Sequence, residues 1–210
     1  SGPANGYLTV VTANSGGQVM PLAVTNGEIQ GLLELRNKEL PNLSDQLGEF
    51  VSRAAEELNR ASNAASSVPA PSSMTGKDTG LDANTAFANF TGKTTIAITN
   101  AAGAIVQRVD VNFGAGTMTV NGAAGPAFTN TNFLTQLNTA LGGTATAAFA
   151  NGQLSLNTTT STNGVAIVDD ATTPSTKAGK GFSQFFGLND IIRSDGYSPY
   201  ETGMVASDPS

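Results

Sequence analysis

From residue 28 to residue 64 one series of side chains returns at spacings of three and four: Ile29, Leu32, Leu33, Arg36, Leu40, Leu43, Leu47, Phe50, Val51, Ala54, Leu58 and Ala61. Such a series marks one face of an α-helix, apolar here except at Arg36. Asn37, Lys38, Glu39, Asp45, Gln46, Glu49, Arg53, Glu56, Glu57 and Arg60 fall between, on a solvated face. At 1.5 Å per residue the helix would be roughly 55 Å long, more than a small domain needs. Pro41 removes one backbone donor and its ring crowds the preceding turn, which predicts a kink, or a break with Pro41 opening a second helix. The stripe keeps step across it, with Leu33, Leu40, Leu43, Leu47, Phe50 and Leu58 as its expected packing residues.

Upstream, residues 7–11 (YLTVV) and 19–25 (VMPLAVT) flank Asn14-Ser15-Gly16-Gly17 and read as a strand, a loop and a strand. Thr25-Asn26-Gly27-Glu28 fits a capping box at the helix start. One small hairpin cannot cover so long a face. The missing cover must come from segments outside the chain or from another molecule, so residues 4–64 are expected to form part of an elongated rod.

Residues 65–80 (ASSVPAPSSMTGKDTG) have the Ser, Pro and Gly content of a linker. Beyond them the period changes to two. Ile96 and Ile98 alternate with Thr95, Ala97 and Thr99, and Val109, Val111 and Phe113 with Arg108, Asp110 and Asn112, which predicts two half-buried strands. Residues 117–120 make a third strand, ended by Asn121-Gly122. Phe133, Leu134, Leu137 and Leu141 return to helical spacing between Asn130-Thr131 and Gly142-Gly143, a short capped helix. Asn151-Gly152 between residues 144–150 and 153–159 is a two-residue hairpin turn, and Val165 and Ile167 supply a last strand. Then comes GFSQFFGL, where Phe182, Phe185 and Phe186 stand at helical spacing just before Leu188. Aromatics dominate small cores, so one helical turn is expected here as a plug that closes the module or locks it to the rod. The fold class is α+β: a long amphipathic helix with a β-hairpin, then a β-rich outer domain with one short helix over 81–187, and a return segment over 188–210.

Composition narrows the function. With 10 Lys and Arg against 16 Asp and Glu, the net charge of −6 offers no footprint for nucleic acid or an anionic membrane surface. Neither is expected as a partner, and no apolar run reaches the length of a membrane span. Cys, His and Trp are absent, which removes thiolate nucleophiles, disulfides, thiolate or imidazole metal sites and the commonest general base. No enzyme, cofactor or metal is expected. Asp169-Asp170 could suggest paired carboxylates for a cation, but neighbours in a strand point to opposite faces and no calcium-loop spacing surrounds them. Asn89-Phe90-Thr91 and Asn157-Thr158-Thr159 match the glycosylation acceptor pattern, a chance match in a chain so rich in Asn and Thr. No serine is singled out for a Ser–Lys nucleophile pair. Ser1-Gly2-Pro3 reads as the remnant of a cleaved tag, no secretory signal is recognisable, and the chain is expected to be an excised piece of a longer protein.

Two stretches together carry a family resemblance. Glu28-Ile29-Gln30-Gly31-Leu32-Leu33-Glu34-Leu35-Arg36-Asn37-Lys38-Glu39-Leu40-Pro41, continuing to Gln46-Leu47 and Leu58-Asn59, resembles the helix motif of the flagellar hook-associated proteins of the FlgK family. Gly181-Phe182-Ser183-Gln184-Phe185-Phe186-Gly187-Leu188-Asn189-Asp190 resembles the segment that follows their inserted β-rich portion, most like the alphaproteobacterial versions. Residues 65–180 are the least specific part of the match. The resemblance implies a structural protein at the junction of hook and filament, exported unfolded without a cleaved signal peptide and lying outside the cell. Its partners would be the hook protein and the second junction protein, and full-length subunits would form a ring. It also implies that this chain, lacking the terminal segments that polymerise, is monomeric. The alternatives are another axial protein, flagellin or the second junction protein, and a secreted adhesin or carbohydrate-binding β module. Glycan sites favour exposed Trp or Tyr, and Tyr7, Tyr197 and Tyr200 all lie outside the β-rich stretch.

Overall fold

The computed structural model describes residues 11–13, 19–21, 27–64, 67–194 and 204–206. The fold is α+β, with a long helical stretch and a β-rich region built on two sheets. Two compact units divide it, Ser1–Ala54 and Ala55–Ser210. The division falls inside the long helix rather than in the 65–80 stretch.

In the first unit β1 (Val11–Ala13) and β2 (Val19–Pro21) pair antiparallel, with Val11 opposite Pro21. Helix α1 (Glu28–Glu34) starts after Gly27, whose φ of 92° is a conformation that glycine adopts without strain. No side chain caps this end, and Thr25 of the expected capping box lies outside the described residues. From α1 the chain passes without interruption through a π-helical turn, Leu35–Glu39, into α2 (Leu40–Asn63). Pro41 therefore does not end the helix. Its effect lies in the turn before it, where the Leu40 N–H reaches back five residues to the Leu35 carbonyl. A wider turn makes room where the proline ring would crowd the carbonyl four residues earlier.

The second unit holds a five-stranded antiparallel sheet in the order β10-β4-β5-β6-β7 and a three-stranded one in the order β3-β9-β8. Their strands are β3 (Ser73–Thr75), β4 (Lys93–Thr99), β5 (Ile105–Asn112), β6 (Thr117–Val120), β7 (Ala123–Ala127), β8 (Ala145–Ala150), β9 (Gln153–Thr158) and β10 (Gly164–Asp169). Three helices join them: α3 (Ala83–Phe87), α4 (Phe133–Leu141) and α5 (Phe182–Phe186). A terminal hairpin pairs β11 (Ile192–Ser194) with β12 (Met204–Ala206).

The alternation read from the sequence places Ile96 and Ile98 of β4 and Val109 and Val111 of β5 on the inner face, all fully buried. Val165 and Ile167 of β10 join them, and Leu154 and Leu156 of β9 arrive from the second sheet. Phe87, Phe133, Leu137, Leu141, Phe182 and Phe186 complete one continuous core. Asn121-Gly122 (φ 51° and 83°) and Asn151-Gly152 (φ 50° and 76°) take the left-handed pair of conformations of two-residue hairpin turns. Gly142 closes α4 in the same region.

Within the stretch expected as a linker, residues 73–77 belong to the fold of the second unit. Met74 is buried in the core and β3 pairs with β9, while the Gly76 N–H donates to the Leu154 carbonyl at 2.7 Å and the Lys77 N–H to Phe186 at 2.8 Å. Hydrogen bonding to a neighbouring strand, which composition does not report, orders the segment.

Candidate interaction surfaces

The stripe foreseen on the long helix forms, and most of it faces outward. Phe50 is 69% exposed, Leu43 61%, Leu47 59% and Leu40 and Leu58 each 51%. Pro41 is exposed and Leu33 half-buried. In α1 and the π-helical turn no residue is buried, and in α2 only Ala55 and Asn63 are. Along the same helix run the exposed pairs Glu34–Lys38 at 3.9 Å, Glu49–Arg53 at 2.5 Å and Glu57–Arg60 at 2.5 Å. These exposed pairs support the helix by a few tenths of a kcal/mol each. An apolar row of this length in water marks a surface built to be covered.

The last turns of α2, within the second unit, bury a different face. Asn59 uses its side-chain amide as a strand would use its backbone. Its Oδ1 accepts from the Ile191 and Ile192 N–H groups at 3.0 and 2.9 Å, and its Nδ2 donates to the Ile192 carbonyl at 2.6 Å. One turn on, the buried Asn63 donates to the Asn59 carbonyl at 2.8 Å and to Asp190 Oδ1 at 2.6 Å. Its Oδ1 accepts from Ser183 Oγ at 2.6 Å and the Asn189 N–H at 3.1 Å. Ser62 Oγ donates to the Asn189 carbonyl at 2.7 Å, and Lys180 Nζ lies 2.6 Å from Glu56. The Lys180 hydrogen bond, reinforced by its charge, holds the Glu56 carboxyl below the usual range. Residues 180–192 are thus clamped to the helix end by amides and hydroxyls rather than by the apolar stripe. The sequence showed this only as asparagines four residues apart on the polar side, a pattern that looks solvated.

The phenylalanine cluster sits where the polar clamp meets the core. Phe182 and Phe186 are fully buried, Leu188 is 5% exposed and Phe185 packs half-buried against them. Phe182 and Phe186 stand 5.0 Å apart edge to face, and Phe186 lies 5.3 Å from Phe87. Such ring pairs add about 0.5–1.5 kcal/mol each beyond area burial. Lys177 Nζ lies 4.6 Å from the Phe185 ring centre and donates to the Thr85 and Ala86 carbonyls at the end of α3, at 2.5 and 2.8 Å. Burial lowers its pKa.

The carboxylates at the end of β10 are occupied locally. Asp170 accepts from the Thr173 and Thr172 N–H groups at 2.8 and 3.0 Å and from both hydroxyls, and these bonds, the Thr173 N–H first, hold its carboxyl well below the usual range. Asp169 accepts from Ser175 Oγ, which in turn accepts from the Phe182 N–H at 2.8 Å. This pair organises the turn into α5. Of the two glycosylation patterns, Asn89 takes a left-handed φ of 62° beside the buried Phe90, and Asn157 pairs with Ser73 across β9 and β3. Among the described residues no three His, Cys, Asp or Glu side chains converge on a metal-sized site, and no helix is long and apolar enough to cross a membrane. Comparison with protein-family models, with curated proteins and with solved structures finds no match to this chain.

Proposed function

We propose that the protein is a structural subunit of the bacterial flagellum, joining hook to filament through packing and hydrogen bonds without catalysis. The observation that carries this reading is the exposed apolar row on α1 and α2, a surface of the kind that the helices of an axial assembly cover. Two further features support it. The chain has no cysteine or histidine with which to run thiol or imidazole chemistry, and the two motifs resembling the FlgK family are the outward-facing row and the clamp with its phenylalanines. In the assembled organelle the rod helices would meet the hook protein on one side and the second junction protein on the other. The β-rich unit, with Thr and Asn on its outer strand faces, would be turned toward water outside the cell.

Immunogold electron microscopy of flagellated cells, with antibodies raised against this chain, tests the proposal. A single band of label between hook and filament is expected. Label along the whole filament would make the protein a flagellin. Label on the cell surface with bare flagella would overturn the flagellar reading in favour of an adhesin.

A further inference from the structure

Leu40, Leu43, Leu47, Phe50 and Ala54 alternate steps of three and four without remainder, a seven-residue repeat. That is the period of a seam between two supercoiled helices. Glu39, Gln46 and Arg53 recur every seven residues along one flank of it. From this we infer that residues 39–54 form a self-complementary docking surface on which a second copy of the chain binds antiparallel. The inference does not rest on the flagellar reading, and it departs from the monomer implied by the family resemblance.

Charge decides the direction. In an antiparallel pair, with its two-fold axis at the level of Asp45, Leu40 faces Phe50 of the second copy and Leu43 faces Leu47. The flanks then bring Glu39 opposite Arg53 of the second copy, and Arg53 opposite its Glu39, while Gln46 meets its own equivalent. In a parallel pair the same flank would set Glu39 beside Ser44 and Arg53 beside Leu58, leaving both charges without an opposite. Arg53 now pairs with Glu49 along its own helix, both side chains more than 60% exposed, a weak tie that does not compete strongly. Pro41 stands outside the seam, next to Leu40 on the side away from the contact.

Area sets the strength. Leu40, Leu43, Leu47 and Phe50 of each copy, at about 100 Å² of apolar surface per side chain, bring the contact to about 1,200 Å² once the flanks are counted, the small end of stable interfaces. A contact of this size is of the weak, reversible kind.

Analytical ultracentrifugation of the full 210-residue chain from about 5 to 500 µM reads the association directly. A concentration-dependent dimer is expected. Glu39→Arg alone and Arg53→Glu alone should each weaken it about ten-fold or more, since each sets like charges opposite one another. The two variants mixed should associate again, as should the double variant, because opposite charges then face each other on both flanks. Circular dichroism of each variant checks that the helix persists. Since the chain has no cysteine, Gln46→Cys should be joined to its own equivalent by a short bis-maleimide that spans the two flanks, a gap wider than a disulfide bridges. A monomer at every concentration would overturn the inference. So would a dimer indifferent to both charge reversals, or one whose Gln46→Cys variant fails to cross-link.

Discussion

Phe182 and Phe50 are the same side chain in opposite circumstances. The first is fully buried in the core of the β-rich unit; the second stands 69% exposed on α2. Both sit at helical spacing among other apolar residues, so local sequence alone does not separate them. What separates them is closure. In Ala55–Ser210 two sheets and three short helices supply one another's cover, and Ile96, Ile98, Val109, Val111, Leu154, Leu156, Val165 and Ile167 on the inner faces of β4, β5, β9 and β10 are all fully buried. Among the described residues of Ser1–Ala54, a short two-stranded hairpin and a helix, the large apolar side chains of the stripe stay exposed. Periodicity therefore determines where a side chain points, while burial depends on whether another element arrives to meet it.

The sharpest way to break this contrast is to truncate equivalent side chains on the two sides of it. Phe182→Ala should cost about 3–5 kcal/mol of unfolding free energy, from lost transfer energy and the cavity left behind. Phe50→Ala, measured in dilute solution, should change stability by no more than about 0.5 kcal/mol. Urea unfolding followed by far-ultraviolet circular dichroism reads both, and similar losses would show that the stripe is already covered.

Next in size are the buried amides. Asn63→Ala removes the hydrogen bonds that Ser183, the Asn189 N–H and Asp190 make with its side-chain amide and should cost about 2–3 kcal/mol, the scale of a buried polar side chain lost from its network. Hydrogen exchange at residues 189–192 should speed up at the same time. Unchanged exchange there would show that the clamp does not hold this segment.

Two glycines, one from each unit, make the same contrast. A Cβ at Gly92, where φ is +73°, would meet the Pro174 carbonyl oxygen at 2.0 Å, so Gly92→Ala should destabilise the second unit by about 1–3 kcal/mol. Gly48, mid-helix with nothing within 4 Å, should respond in the other direction, gaining about 0.5–1 kcal/mol of helix stability as alanine. Thermal melts of the two variants should shift in opposite directions.

The smallest effect is electrostatic. Glu56, more than half exposed, is held below its ordinary pKa of 4.5 by Lys180, so the pair's contribution is fully present above that value and is lost as pH falls through the lower folded one. Lys180→Ala should remove a few tenths of a kcal/mol at neutral pH and less in acid, as Glu56 takes up its proton. Unfolding at pH 7 and pH 3 distinguishes the two.

Elements stabilised by their own neighbours in sequence were legible before the structure. Residues 133–141 carry their spacing and a glycine stop, Asn151-Gly152 is a turn on its own chemistry, and the alternation of β4 and β5 names its buried face. Elements stabilised from a distance were not. β7 reads AAGPA, without a β-branched residue, and exists because it pairs with β6. β3 lies in a Ser- and Pro-rich run and is a strand because β9 lies beside it. β10 returns to pair with β4 across some 65 residues of chain, an order no local pattern encodes. At the candidate surfaces the stripe and the phenylalanines were legible as apolar series. The Asn59 and Asn63 clamp was not, since polar residues on a helix look solvated until their partners are in place. Pro41 had a predictable disturbance but not a predictable form, a π-helical turn upstream instead of a break.

Amide hydrogen exchange over the whole chain, at a concentration of about 5 µM where copies stay apart, tests the contrast between the two units most directly. Slow exchange in β4, β5, β9 and β10, with exchange faster by orders of magnitude along residues 28–54, is the predicted result. Equal protection in the two units would contradict the account, because it would mean that the apolar face of the long helix is closed within the chain itself.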